Sequence, residues 1–252
     1  MRLLSYLWLL IGKCAALAFI FAGGGLLAAF ILPLVTLWPG TALEHAHFLI
    51  RTSFRLYLLI LQSLRLIHLE INGKEKLEHC GGKMIIANHP SLLDVVILVA
   101  LLPKVQCIVK HELWDHWLLG GLMHRAGYIR NDLNPEILMA NCKKSLENGE
   151  CLIIFPEGTR TPPGSMPRFQ RGFANIATLT SAPIQLVLIT CTPPFLYKGE
   201  PWWHVPQKPA LFRVDIGDSL DAGSYLLYGE RSIAARKLVE SLELYYAKHL
   251  RD

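Results

Sequence analysis

Residues 83–102 read KMIIANHPSLLDVVILVALL. Met84–Ala87 is a continuous apolar run rather than an alternating one, the pattern of a strand covered on both faces. Pro90 and Ser91 are helix-start residues, and the apolar stretch behind them predicts a helix over 91–102. A strand that passes through a short polar turn into a helix is the building unit of layered α/β folds. The same alternation continues on both sides. Strands are predicted at 67–71 (IHLEI), 105–109 (VQCIV), 151–155 (CLIIF), 184–190 (IQLVLIT) and 211–216 (LFRVDI). Helices are predicted at 112–126, 135–148, 172–180 and 231–249; the second of these has Asn134 as cap, Pro135 in its first turn and Gly149 past its end. Residues 67–252 therefore read as one α/β domain with helices on both sides of a sheet.

Composition agrees with a large buried core. The chain has 252 residues, 52% hydrophobic and only 18% charged, with a mean hydropathy of +0.33, which excludes disorder. A net charge of +5 suits anionic lipid, a phosphate group or an acidic carrier. No basic run or RNA-binding aromatic motif is present, so no nucleic-acid partner is expected. Cys14, Cys80, Cys107, Cys142, Cys151 and Cys191 include no CxxC pair and read as small buried hydrophobes in a reducing compartment. His111, Glu112 and His116 miss the HExxH spacing by one residue, and no metal site is expected. Without GxGxxG, GxxxxGK[ST] or GxSxG, no nucleotide cofactor and no serine hydrolase of the α/β type is indicated.

Residues 1–66 have a different character. Between Cys14 and Leu43 no residue is charged, and this run exceeds the roughly 20 apolar residues that cross hydrocarbon. Gly23, Gly24, Gly25 and Pro33 leave a tilted span and a broken re-entrant hairpin both open; a cleaved signal peptide is disfavoured by the length of the run. In the following stretch, Phe48–His68, the residues Arg55, Gln62 and Arg65 fall within about 40° of Arg51 on a helical projection. That stripe suits an interfacial helix with guanidiniums toward lipid phosphates, or a core helix with its arginines in water. Positive charge is denser after the apolar run than before it, so a single span would leave the rest of the chain cytoplasmic.

Two motifs stand at strand ends. In NHPSLLD (88–94), His89 leaves a strand and Asp94 lies one turn into the next helix, placed to hold one ring nitrogen while the other takes a proton from a hydroxyl. In FPEGTR (155–160), Pro-Glu-Gly makes a sharp turn after CLII, from which Arg160 can grip a phosphate bidentately and Glu157 can bind a substrate hydroxyl. The spacing of His and Asp is weak by itself; the hexapeptide is specific.

Together these motifs resemble the glycerophospholipid acyltransferase family, with its HxxxxD and FPEGTR blocks. The family's intermediate block is matched by Lys110, Glu112 and Leu113, followed by Gly120 and by Arg130 on a short strand. Phe169, Arg171 and Gly172 match the segment after FPEGTR, and APIQLV (182–187) the fourth block. Trp117 and Leu186 stand where the family usually has proline, which puts the acceptor pocket in question more than the chemistry.

The resemblance implies a mixed sheet flanked by helices. It also implies acyl transfer from acyl-CoA or acyl-carrier protein to the sn-2 hydroxyl of lysophosphatidic acid, with other lysolipid acceptors as the alternative, or a non-catalytic lipid-binding protein of the same fold. His89 would be the base and Asp94 its orienting partner. Arg160, with Arg130 and Lys110, would hold the acceptor phosphate, and Glu157, Gly158 and Thr159 would shape its site. No cofactor is needed beyond the thioester, and the implied location is the cytoplasmic side of the inner membrane.

Overall fold

The structure, a computed structural model, describes residues 2–26, 42–117, 119–201 and 203–250. Its seven-stranded sheet comprises β1 (Ile67–Asn72), β2 (Met84–Ala87), β3 (Val105–Val109), β4 (Ile129–Arg130), β5 (Cys151–Ile154), β6 (Pro183–Thr192) and β7 (Ala210–Asp221), in the order β1-β7-β6-β2-β5-β3-β4. Neighbouring strands are parallel except for β6 and β7, so the sheet is mixed, as the family resemblance implies. The helices are α1 (Arg2–Leu26), α2 (Ala42–Ser63), α3 (Leu93–Leu101), α4 (His111–Trp114), α5 (Gly120–Arg125), α6 (Pro135–Glu147), α7 (Gly172–Thr180) and α8 (Arg231–His249).

Alternate residues of the central strands feed two cores, which is why these strands are apolar throughout. Ile85 and Ala87 of β2 face α2 and α3, together with Ile50, Leu61 and Ile97. Met84 and Ile86 face α6, α7 and α8, together with Leu146, Phe173 and Leu238. The edge strand β1 alternates buried with less buried positions, as a strand near solvent does. Tyr246 of α8 is fully buried and donates its hydroxyl to the carbonyls of Ile86 (2.7 Å) and Val187 (3.1 Å), pinning α8 to β2 and β6.

The connections create a crevice. After β2 the chain crosses by α3 on one face to β3, beyond β5; after β5 it crosses by α7 on the other face to β6, on the far side of β2. Two adjacent parallel strands whose chains leave toward opposite faces open a gap between their carboxyl ends, where α/β sheets bind ligands. NHPSLLD and FPEGTR are the continuations of these two strands.

Local signals place most elements. The Asn134 side chain accepts the Glu136 N–H at 2.9 Å and caps α6 as expected. The helix predicted over 112–126 is instead two short helices. The chain turns back after α4, and the Gly120 backbone comes so close to the Trp114 carbonyl that a Cβ there would sit 2.5 Å from its oxygen.

The amino-terminal reading needs two corrections. The helix placed at 48–68 is α2, and it ends at Ser63. Arg65 takes a left-handed φ of 53°, with Arg65 N–H bonded to Gln62 O and Leu66 N–H to Leu61 O, both at 2.9 Å. This is a Schellman stop built on arginine rather than the usual glycine, and it leaves His68 in β1. The arginine stripe divides: Arg55 and Arg65 are exposed and Arg51 is half-buried, while two of the three also bond to protein. Arg55 Nε donates to Ala100 O at 2.8 Å and Arg51 Nη2 to Leu101 O at 3.2 Å, so both guanidiniums satisfy carbonyls at the carboxyl end of α3, where a helix favours positive charge. The exposed side of α2 carries the large apolar residues Phe48, Leu56 and Leu59 at helical spacing, with Thr52 and Arg55 between them. On α1, Leu4, Leu7, Trp8 and Ile11 are exposed in the same way. Among the described residues no helix is long and apolar enough to cross a membrane. Part of the charge-free run, including Pro33, lies outside the described residues.

Candidate active site

At the end of β2, Asn88 replaces main chain with side chain. Its amide donates to Ile189 O and accepts the Ile189 N–H, both at 2.8 Å, continuing the ladder to β6 while the backbone turns away. The next residues form a capping arrangement: the Ser91 N–H donates to Asp94 Oδ2 at 2.7 Å, and Ser91 Oγ accepts the Leu93 N–H at 3.3 Å. The same Asp94 Oδ2 lies 2.9 Å from His89 Nδ1. The expected pair therefore forms, and the helix start itself positions the carboxylate.

Asp94 is completely buried, and its Oδ1 has no partner among the described residues. Burial raises its pKa above the ordinary carboxylate value, opposed by the bonds from His89 and Ser91. The His89 ring stacks on Phe155, with centroids 4.1 Å apart, and its side chain keeps 14% exposure. With Nδ1 held by Asp94, Nε2 is the nitrogen available to a reactant.

The two motifs lock to each other. Glu157 Oε1 accepts the His89 N–H at 3.0 Å across 68 residues of chain, and the Thr161 N–H donates to His89 O at 2.9 Å. Thr161 Oγ1 also donates to Glu157 Oε1, at 3.3 Å. Glu157 thus lies buried beneath the histidine turn instead of projecting from the sheet edge. Its Oε2 has no partner among the described residues, and burial raises its pKa, opposed first by the His89 N–H. Gly158 turns with a φ of +69°, and a Cβ there would lie 2.7 Å from Gln170 Nε2. Gln170 donates from its backbone to Pro156 O at 2.8 Å, fastening the segment around Phe169 and Arg171 to the turn. Arg160 is half-buried, with Nη1 anchored to Leu196 O at 2.8 Å and Tyr197 O at 3.4 Å.

Residues 68–190 match the family model described as Acyltransferase. Over this segment the chain is similar to acyltransferases. Several similar proteins are called 1-acyl-sn-glycerol-3-phosphate acyltransferase. The one from Cocos nucifera is 38% identical over 117 residues, 42% of this chain and 37% of that protein. The one from Helicobacter pylori is 38% identical over 117 residues, 43% of this chain and 49% of that protein. That from Limnanthes alba is 32% identical over 156 residues, 59% of this chain and 50% of that protein. The chain thus spans half or less of these relatives' length. The crystal structure of the 1-acyl-sn-glycerophosphate (LPA) acyltransferase PlsC from Thermotoga maritima has the same fold, with a TM-score of 0.69 at 21% identity over 99% of both chains.

Not every expected site residue gathers at the dyad. Lys110 follows β3, two strands from β2, and Arg130 sits on β4, three strands away. At a strand spacing of about 4.8 Å this is roughly 10 and 14 Å. Arg130 is closed onto Asp132 through Nε (2.9 Å) and Nη2 (2.7 Å), with Asp115 at 3.6 Å. Lys110 is exposed on the same edge, and Gly158 and Thr159 are exposed on the turn. Leu186 is buried in the core on β6, so its departure from the family pattern changes core packing and not a pocket. Trp117 is 87% exposed. Of the tryptophans at 202 and 203, Trp202 lies outside the described residues and Trp203 is exposed.

Sequence reading named Ser91 as a helix start but missed Asn88 and Phe155 as supports, although their adjacency to the histidine and glutamate motifs was a signal. It also missed the segment 195–197, which no motif marks.

Proposed function

We propose that the chain is an O-acyltransferase that moves a fatty acyl group from a thioester to the sn-2 hydroxyl of lysophosphatidic acid, giving phosphatidic acid at a membrane surface. One observation carries this reading: the His89–Asp94 pair stands in the β2/β5 crevice, bonded through its own backbone to the FPEGTR turn. The names of the similar proteins support the acceptor.

His89 Nε2 takes the hydroxyl proton as the oxygen attacks the thioester carbonyl. The new C–O bond forms, the C–S bond breaks, and the departing thiolate takes the proton back from Nε2. Asp94 fixes the ring tautomer and stabilises the imidazolium. Arg160, its Nη1 already anchored, offers Nε and Nη2 to the acceptor phosphate as a fork. Gly158 and Thr159 form the acceptor-side rim, Glu157 braces the base, and Lys110 adds positive charge farther along the edge, where Arg130 is held by Asp132 and Asp115. Acyl-CoA and acyl-carrier protein both supply the required thioester, and no other cofactor is needed.

The exposed apolar residues of α1 and α2 support a lipid bilayer as partner, with residues 1–66 as the anchor, on the cytoplasmic side of the inner membrane. Another lysolipid acceptor is the second reading, favoured by the departure at Trp117.

The test offers purified protein a panel of lysolipids with acyl-CoA and acyl-carrier donors, alongside vesicle flotation with and without residues 1–43. Transfer to lysophosphatidate, lost at least about 10²-fold in His89→Ala, is expected. Failure to acylate any lysolipid from either donor, or near-normal turnover in His89→Ala, overturns the reading.

A further inference from the structure

Lys13 is the only charged residue between Arg2 and Glu44 and lies on the mainly apolar helix α1. It is nevertheless buried, with side-chain exposures of 2% for Lys13 and 3% for its partner Glu200. Lys13 Nζ lies 2.9 Å from Glu200 Oε2 and donates to His204 O at 2.6 Å; it also stands 5.6 Å from the centroid of the Phe195 ring. A buried ion pair is a poor source of stability compared with a packed apolar pair. Such a pair instead fixes geometry, since both charges must find their partners.

The geometry it fixes leads to the active site. Glu200 Oε2 also accepts the Leu196 N–H at 2.8 Å, and Leu196 has a φ of +53°, a left-handed conformation that a branched residue rarely adopts unaided. In that conformation the Leu196 carbonyl accepts from Arg160 Nη1 (2.8 Å) and from the Leu92 N–H (3.1 Å). The adjoining Phe195 carbonyl accepts from Ser91 Oγ at 2.8 Å. One continuous set of bonds thus runs from α1 through Glu200 and the 195–197 segment to the arginine of one motif and the helix start of the other.

We propose that Lys13 and Glu200 are positioning residues that set the Arg160 guanidinium for the acceptor's phosphate, making acceptor capture depend on how α1 is seated. This rests on the acceptor reading of Arg160 above. Without the charge pair Leu196 relaxes from its left-handed conformation, its carbonyl leaves Nη1, and the fork loses its anchored side. The thioester donor does not use that guanidinium, so its binding is spared.

Two measurements on the full-length protein in mixed lipid–detergent micelles test this, with Lys13→Met and Glu200→Gln as variants. In the first, apparent KM for lysophosphatidate is expected to rise at least about tenfold, with donor KM and kcat changed less than about threefold. The second uses no activity: hydrogen exchange at the Leu92 and Leu196 amides is expected to accelerate in both variants while α8 is unchanged. Acceptor and donor KM rising equally, or an unchanged acceptor KM in a folded variant, overturns the proposal. Unchanged exchange at Leu92 overturns it as well. If the wild type acylates no lysophosphatidate, the functional reading fails by itself, and the exchange data still decide whether the strap reaches the helix start.

Discussion

Replacing Asp94 by asparagine separates the charge at the base from its shape. Asp94 Oδ2 receives both His89 Nδ1, at 2.9 Å, and the Ser91 N–H, at 2.7 Å, and an amide oxygen in the same place can receive both. The variant loses the negative charge facing the imidazolium that forms during transfer. With about 4 Å between charge centres and an effective dielectric of about 20, that attraction is about 4 kcal/mol. The amide dipole recovers part of it, so kcat is expected to fall roughly 10²- to 10³-fold. Stability responds differently. The carboxyl pKa is raised from 3.8 by burial, so folding holds a proton that the unfolded chain releases, and wild-type stability declines as pH climbs through the window above 3.8. Asparagine has no such decline, but its amide N–H group occupies the unpartnered Oδ1 position and costs about 1–3 kcal/mol. Thermal unfolding of both proteins from about pH 4 to pH 7 should therefore show the Tm difference moving in favour of the variant as pH increases. Steady-state turnover on lysophosphatidate reads the first effect. A loss of kcat smaller than about tenfold in a folded variant would refute the assignment of Asp94 as the partner of the base.

Arg160→Ala should raise the apparent acceptor KM more than the donor KM; equal changes would count against a phosphate fork. Glu157→Gln keeps an acceptor for the His89 N–H and removes a carboxyl whose pKa burial raises from 4.5. Its stability relative to wild type should therefore improve as pH rises above that value, and a constant difference between about pH 4 and 7 would show that no buried charge is being relieved. Gly158→Ala meets both a φ of +69° and Gln170 Nε2 at 2.7 Å, so a loss of about 1–3 kcal/mol in denaturant unfolding is expected, and an unchanged midpoint would mean the turn rearranges freely.

The comparison of sequence with structure divides along the range of the forces involved. Continuous apolar runs such as MIIA and CLII announced buried strands, because a strand covered on both faces has no polar positions. Asn134, Pro135 and Gly149 announced α6, because caps act within one turn of chain. The His89–Asp94 pair was legible for the same reason: Ser91 and Asp94 form a local helix start that carries the carboxylate to the ring. The hexapeptide FPEGTR was legible as a motif, but its glutamate was read as facing substrate. Only strand order, β5 beside β2, brings that carboxylate to the His89 N–H across 68 residues.

Elsewhere tertiary structure alone decided. The arginines of α2 formed a polar stripe whose target no periodicity names, and packing against α3 turned them onto its last carbonyls. Arg65 stops α2 in a conformation that glycine usually marks, so the end was invisible in the residue itself. Arg130 carried the right charge on the right edge, yet its nearest anions are its own neighbours Asp132 and Asp115. Lys13 and Glu200 are 187 positions apart and meet only because α1 packs against the β6–β7 connection. Residue type and local spacing determine which element forms and what chemistry it can offer; which charge each side chain meets depends on the order in which strands and helices stack.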